Sequence, residues 1–375
     1  MNKKISTIFI SLVLFSGIIY PGNSFAQQND STAFKQKDSA TFKVSGYIDA
    51  YYAYYTDSVG PGNYQKFPSV SPRSNQFGLN TAQITFQYDA EKVRGVAVLH
   101  YGDIPVSAWS STFNNIMEAH AGVRLCKKLW LDAGFFRTHV GTEGLLPKEN
   151  FTSSVSVNTY YEPYYESGIR LNFNPNEKLA INILVLNGYG IYQDNNDKKS
   201  LGTLITYAFN DKGSIGYSNY TGDDTPIAGD SISHTRIHQS LFFNYQIGKL
   251  KMQVGGDYCI QRNSDTTGAK SATMTSGVLG LKYQATTKFA VYAREEFFSD
   301  PQGFMSTRFA DENGKQTGYV LNGITAGVEY KPTDNSYIRL ETRNLQMDNA
   351  QKIFTWNGKL TNTRTEVLLN LGVSF

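Results

Sequence analysis

Hydrophobic and polar positions alternate with a period of two through most of the chain. At the C-terminus Val367, Leu369, Leu371, Val373 and Phe375 fall on one face and Glu366, Asn370, Gly372 and Ser374 on the other, with Leu368 out of phase. Successive side chains of a strand point to opposite faces, so such a run predicts a strand with one apolar surface. About sixteen segments of this kind occur, near 41–55, 76–88, 93–101, 115–125, 129–138, 164–173, 179–189, 200–209, 213–221, 234–247, 250–261, 270–284, 287–298, 317–330, 335–347 and 362–375. Each approaches the roughly 9 to 11 residues that a tilted strand needs to cross a bilayer. The expected fold is all-β: a transmembrane antiparallel up-and-down β-barrel of about sixteen strands, closed by pairing of the last strand with the one beginning near Thr41.

The connections sort by parity. Asp89-Ala90-Glu91-Lys92, Cys126-Lys127-Lys128, Asn174-Pro175-Asn176-Glu177, Asn210-Asp211-Lys212, Gly248-Lys249, Ala285-Thr286 and Lys331-Pro332-Thr333-Asp334 are tight turns. The connections between them are longer: 56–75, 102–114, 139–163, 190–199, 222–233, 262–269, 299–316 and 348–361. Short turns on one rim and long loops on the other belong to barrels of the bacterial outer membrane, whereas a soluble sandwich has no reason to sort its loops this way.

With apolar residues turned to lipid, the downward strands end on Tyr88, Phe173, Phe209, Tyr245, Tyr283, Tyr330 and Phe375, and the fourth ends on Leu125. Amphipathic rings favour the headgroup level, so these residues read as a periplasmic aromatic girdle. The same phase turns Glu118, His120, Arg124, Asp132, Glu166, Arg170, Arg236, His238, Lys251 and Asp257 inward, together with Arg294, Glu296, Glu329, Arg339, Glu341 and Arg343. An Arg or Lys facing lipid at mid-depth costs about 2 to 4 kcal/mol, so a wall carrying this many charges needs a polar, wet lumen.

The N-terminus supplies the export signal. Lys3 and Lys4 precede an apolar run from Ile8 to Tyr20, and Ser24-Phe25-Ala26 presents small residues for cleavage after Ala26. Residues 1–26 are the expected signal peptide, 27–40 a flexible tail and 41–375 the barrel. With 35 basic and 32 acidic residues, the chain makes no electrostatic case for binding nucleic acid. Its 25 tyrosines, 23 phenylalanines and 33 glycines suit strands, turns and girdles. The two cysteines, Cys126 and Cys259, fall on opposite sides of the wall and have no neighbouring ligands, so neither a metal nor a cofactor is expected.

A barrel of sixteen strands leaves an aqueous channel unless something fills it. The candidate filler is the third external loop, 139–163, with Gly141, Gly144 and Pro147 as turn formers and Glu143, Lys148, Glu149, Tyr160 and Glu162 as polar lining. The expected constriction sets these residues against Arg294, Arg339 and Arg343, giving a transverse field across the pore. Arg124, Glu166, Arg170, Glu296 and Glu341 line the lumen around it.

Gly134-Phe135-Phe136, Gly141-Thr142-Glu143, Asn150, Ser153-Ser154, Pro163-Tyr164-Tyr165 with Ser167-Gly168, and Asn187-Gly188-Tyr189 resemble the central motif of the OmpL-like β-barrel porins. The chain departs from that pattern at Val155, where arginine is expected, and at Glu166, where histidine is frequent. The resemblance implies a general or weakly selective outer-membrane pore.

Three functions fit these residues. The first is passive diffusion of small polar solutes or ions. The second is a substrate-specific channel in which Tyr160, Tyr161, Tyr164 and Tyr165 stack on a sugar or similar solute. The third is a barrel hydrolase built on His234 or His238 with Ser231 or Ser233, to which ten to twelve strands would be better suited. Expected partners are outer-membrane lipid, small polar solutes, and the assembly machinery that reads the C-terminal strand. Analogy with other sixteen-stranded porins points to a homotrimer.

Overall fold

A computed structural model describes residues 40–57, 59–60, 62–227 and 232–375. The expected signal peptide lies outside the described residues, as does the tail apart from Ala40. The strands are β1 (Thr41–Tyr55), β2 (Gln76–Asp89), β3 (Val93–Tyr101), β4 (Ile116–Cys126), β5 (Leu129–Arg137), β6 (Tyr165–Phe173), β7 (Leu179–Leu186), β8 (Ser200–Asn210), β9 (Gly213–Asp223) and β10 (Thr235–Ile247). They continue with β11 (Leu250–Gln261), β12 (Ala272–Gln284), β13 (Phe289–Ser299), β14 (Phe309–Ala310), β15 (Gln316–Thr317), β16 (Val320–Tyr330), β17 (Ser336–Met347), β18 (Phe354–Trp356), β19 (Lys359–Thr361) and β20 (Thr363–Ser374). Two short helices, α1 (Asp103–Ala108) and α2 (Val157–Tyr161), sit in the second and third long loops.

Sixteen strands, β1 to β13 with β16, β17 and β20, pair in that order into one closed barrel, while β14–β15 and β18–β19 are hairpins within long loops. Closure follows from the solvent: an unpaired backbone N–H or C=O in hydrocarbon costs several kcal/mol, so a spanning sheet cannot keep an edge. The seam runs from Tyr47 opposite Ser374 to Tyr55 opposite Glu366. Beyond it Gly46 and Phe375 exchange both backbone hydrogen bonds, at 2.7 and 3.0 Å. The Phe375 ring lies over Gly46, where a Cβ would stand 2.5 Å from ring carbons.

The alternation read from sequence is the alternation of the wall. On β20 Val367, Leu369, Leu371 and Val373 are 36–49% exposed on the outer face, whereas Glu366, Leu368 and Asn370 are at most 1% exposed. The out-of-phase Leu368 points inward, where it packs with Tyr51, Ala53 and Tyr55. Outward aromatics gather at the short-turn end, with Phe42, Tyr88, Phe173, Tyr283, Phe289 and Phe375 exposed. Phe209 packs against Phe243 and Tyr245, and Tyr330 against Phe289. Tyr54, Phe77, Tyr101, Tyr258 and Phe297 form a second exposed band at the other end, which the sequence reading missed because it followed only the ends of the downward strands.

The interior is not uniformly polar. Several long loops turn inward and build apolar clusters, two of them large. One joins Val70, Ile104, Trp109, Leu145, Leu146 and Tyr192 to wall residues Tyr47, Val98 and Tyr337. The other joins Phe67, Val157, Tyr319 and Phe354 to Cys259, Met274, Phe298 and Leu345. The expectation of a polar lumen is thus qualified: inward charges occupy the wall, and loop side chains shed water against one another above them. Cys259 is buried inside and Cys126 exposed near a turn, and both are free thiols.

The neighbouring strands approach so closely at Gly168 that a side chain has no room. Its φ is +152°, and a Cβ would stand 2.0 Å from the Val185 carbonyl oxygen. Gly134, directly opposite on β5, meets the Ala119 carbonyl in the same way. Gly168→Val is expected to lower barrel stability by about 1 to 3 kcal/mol, while Gly95→Ala, whose Cβ would meet nothing nearer than 3.8 Å, is expected to be neutral. Urea unfolding of the detergent-solubilised protein checks both; an unshifted midpoint for Gly168→Val defeats the close-packing account.

Candidate pore constriction

Residues 138–164 connect β5 to β6, with a 3-10 turn at Pro147–Glu149 and the helix α2. Very little of this long segment reaches solvent, because the inward-facing wall receives its backbone. The Glu341 carboxylate on β17 accepts the Ser153 and Ser154 amides at 2.6 and 2.9 Å, and Glu296 on β13 accepts that of Val157 at 2.7 Å. Arg339 donates to the carbonyls of Pro147, Thr152 and Asn150 at 2.7, 2.9 and 3.1 Å. Arg294 reaches the Ser154 carbonyl at 2.7 Å and the Glu143 carboxylate at 3.0 Å. A segment with only two short helical turns thus finds partners for polar backbone that burial would otherwise leave unsatisfied.

The loop also holds itself. Asn150 closes a ring with Gly144, accepting its amide at 2.8 Å and donating to its carbonyl at 2.6 Å. Gly141 turns at φ +108° over Glu162, where a Cβ would come within 2.1 Å of a carboxylate oxygen. The wall is thinned to match: a Cβ on Gly255 of β11 would stand 1.8 Å from the Thr142 hydroxyl. Beside it Gln253 donates to the Thr142 carbonyl at 3.0 Å, and Asn158 donates to Asp257 at 2.9 Å.

The expected arrangement of charge is corrected. Arg294, Arg339 and Arg343 do not face Glu143, Glu149 and Glu162 across a gap. Arg294 contacts Glu143 directly and shares Glu296 with Arg343, at 3.2 and 2.8 Å. Arg339 pairs with Glu329 at 2.7 Å, and Glu149 is held by Arg137 at the start of the loop. The loop lies against the wall that carries the arginines, so opposite charges meet as pairs; charges deprived of water are stable only when paired and hydrogen-bonded.

Among the described residues Glu162 has no cation within ion-pair distance. It accepts from Asn158 at 2.5 Å, and burial, then the charges of Asp257 and Glu143, hold its carboxyl well above the usual carboxylate range. Its protonated form is the one the fold favours. That contribution is complete below the unfolded-state value and is lost as pH rises through the elevated one.

The remaining expected site residues are scattered around this core. Glu166 binds the His139 ring at 2.8 Å, Arg170 reaches Asp132 at 3.2 Å, and Arg124 lies over Trp130. Lys148 lies over the Tyr47 ring. Tyr160, Tyr161, Tyr164 and Tyr165 pack against one another or against Trp109, Phe298 and Tyr192, so their faces are occupied by protein. Sequence reasoning missed the anchor in the first two long loops, where Asp103 takes Arg73 at 2.9 Å, Tyr51 at 2.7 Å and Tyr64 at 3.0 Å. An inward acid at the start of a six-residue helix leaves no periodic signal.

The profile of the family described as Putative beta-barrel porin-2, OmpL-like, matches residues 41–375. The chain belongs to this family. As an OmpL-like porin it resides in the bacterial outer membrane, its short turns periplasmic and its long loops external. Its fold is similar to that of an anion-selective porin from Comamonas acidovorans, at a TM-score of 0.61 and 10% identity over 90% of this chain and 100% of that one. The outer-membrane channel DcaP of Acinetobacter baumannii gives a TM-score of 0.57 and 13% identity over 91% and 99%. OmpF of Salmonella typhi gives 0.56 and 12% over 89% and 97%. At these identities the likeness is one of fold. No curated protein matches the chain in sequence.

Glu341→Gln is expected to weaken the hold on the loop by about 1 to 3 kcal/mol, since one carboxylate accepts two buried amides. Trypsin added to the folded porin then cuts after Lys148 in the variant and leaves the parent intact; equal resistance would show that the two amide contacts do not hold the loop.

Proposed function

We propose that this porin conducts small polar solutes and ions by passive diffusion, with residues 138–164 as its constriction. The observation that carries the reading is the wall-to-loop network of Arg294, Glu296, Arg339 and Glu341, which holds the loop inside a closed barrel. Two cavities support a route past it. One of about 500 Å³ lies at the external end of β11 beside Gln261, and one of about 280 Å³ lies at its periplasmic end beside Lys251. Between them the inward residues of β11 meet Thr142 and Asn158 of the loop. On this reading the hydrogen bond from Gln253 to the Thr142 carbonyl is the closed point between the two cavities.

A channel and not an enzyme is the reading favoured by the histidines. Ser233 bonds Asp223 and the His234 ring contacts Ser264, so these neighbours in sequence do not form a nucleophile and base pair. His238 lies between Tyr189 and Asp257. Ser231 lies outside the described residues. Saturable sugar stacking loses its main support because the loop tyrosines are packed. The same proposal includes a homotrimer, two aromatic girdles at the headgroup levels, and engagement of the assembly machinery by the exposed alternation that ends at Phe375.

Liposomes carrying the porin are expected to swell in neutral sugars at rates that fall smoothly with solute size, without saturation. Gln253→Ala is expected to raise single-channel conductance by widening the contact with Thr142. Absence of swelling rules out an open pore, and saturation with one sugar replaces diffusion by specific uptake.

A further inference from the structure

The buried arginines are neutralised in pairs, but the charge at the periplasmic mouth is not. The cavity of about 280 Å³ there is lined by Lys148, Lys251, Lys282, Lys331 and Arg339, with Glu329 and Asp334 as its acids. Glu329 is shared, taking Lys282 and Arg339 at 2.7 Å each. Lys148, Lys251 and Lys331 have no carboxylate within ion-pair distance among the described residues. They come from three places, the 3-10 turn of the third long loop, the second residue of β11 and the turn after β16, and all border the same cavity. Ser336, Ser374 and Asn335 add neutral hydrogen-bonding groups to its wall.

We infer that this vestibule is a binding site for small oxyanions carrying two or more negative charges, with inorganic phosphate and short dicarboxylates as the class. Like charges held in one concave, low-dielectric mouth raise the local concentration of counter-ions. Lysine ammonium groups on flexible stems suit this task, acting as point charges without the fixed fork that guanidinium imposes. The position also suits transport. A site in a conduction path must attract its ion and still release it, and lysines at an open mouth bind more weakly than a closed, dehydrated cage. The inference deepens the diffusion reading and rests on it for its conduction arm alone.

The test uses the full-length porin in planar bilayers and in detergent. In a potassium chloride gradient the reversal potential is expected on the chloride side, and phosphate added to the periplasmic side is expected to reduce chloride current saturably. The Lys251→Gln, Lys331→Gln double variant changes two side chains that the fold does not pair, and is expected to weaken the block roughly tenfold. Calorimetric titration of the detergent-solubilised porin with phosphate and with malonate is expected to give heat for both, lost in the double variant. A cation-selective parent, a block unchanged in the variant, or heat from phosphate without malonate overturns the inference. A parent that binds both anions yet passes no current upholds the site and sinks the diffusion reading.

Discussion

The structure depends on charges placed where water is scarce. A carboxylate or guanidinium taken from water is stable only if other groups replace its hydration. Glu296 and Glu341 on the inner wall obtain that replacement from loop amides and neighbouring arginines. Arg339 obtains it from three loop carbonyls and Glu329. The requirement is mutual: an irregular segment inside a barrel must satisfy its own N–H and C=O groups, and the wall charges do so. Removing either side leaves the other with buried, unpartnered polar groups, which explains how the loop is held without forming a strand.

The barrel was legible in the sequence because two periodicities speak about it independently. Side-chain alternation sets the face of each residue, and loop length sets the rim of each connection; every expected strand is present with its ends within three residues of their places. Leu368, the one irregularity in the terminal run, belongs to the same logic, since an inward leucine fills the gap beside Tyr51 and Tyr55. The contacts between the third long loop and the wall were legible only in part. Phase turned Arg294, Arg339, Arg343, Glu296 and Glu341 inward, but a period of two carries no information about which sector of the wall an irregular loop will meet. The contact between Arg294 and Glu143 joins residues 151 positions apart, and no local pattern encodes it.

The motif residues of the central segment acquire separate physical reasons. Gly134 and Gly168 allow β5 and β6 to approach their neighbours, Gly141 turns the chain above Glu162, and Asn150 ties the loop to Gly144. Ser153 and Ser154 contribute amides to Glu341 more than hydroxyls to a solute. The two departures from the motif are accommodated too. Val155 joins the apolar cluster with Leu145 and Leu146, and Glu166 takes His139 as its partner.

Charge pairing also decides where selectivity can arise. Ion pairs closed at 2.7 to 3.2 Å, such as Arg339 with Glu329 and Arg294 with Glu296, present small dipoles to a passing ion, and their fields fall off within a few ångströms. A long-range field needs an excess of one sign. The loop contact consumes that excess at mid-height and leaves it at the periplasmic mouth, where lysines outnumber carboxylates. On the proposed reading the constriction sorts by size, because it is built of paired charges and packed aromatics. On the same reading sorting by charge falls to the vestibule beneath it, and the separation follows from the burial that forces the arginines to pair.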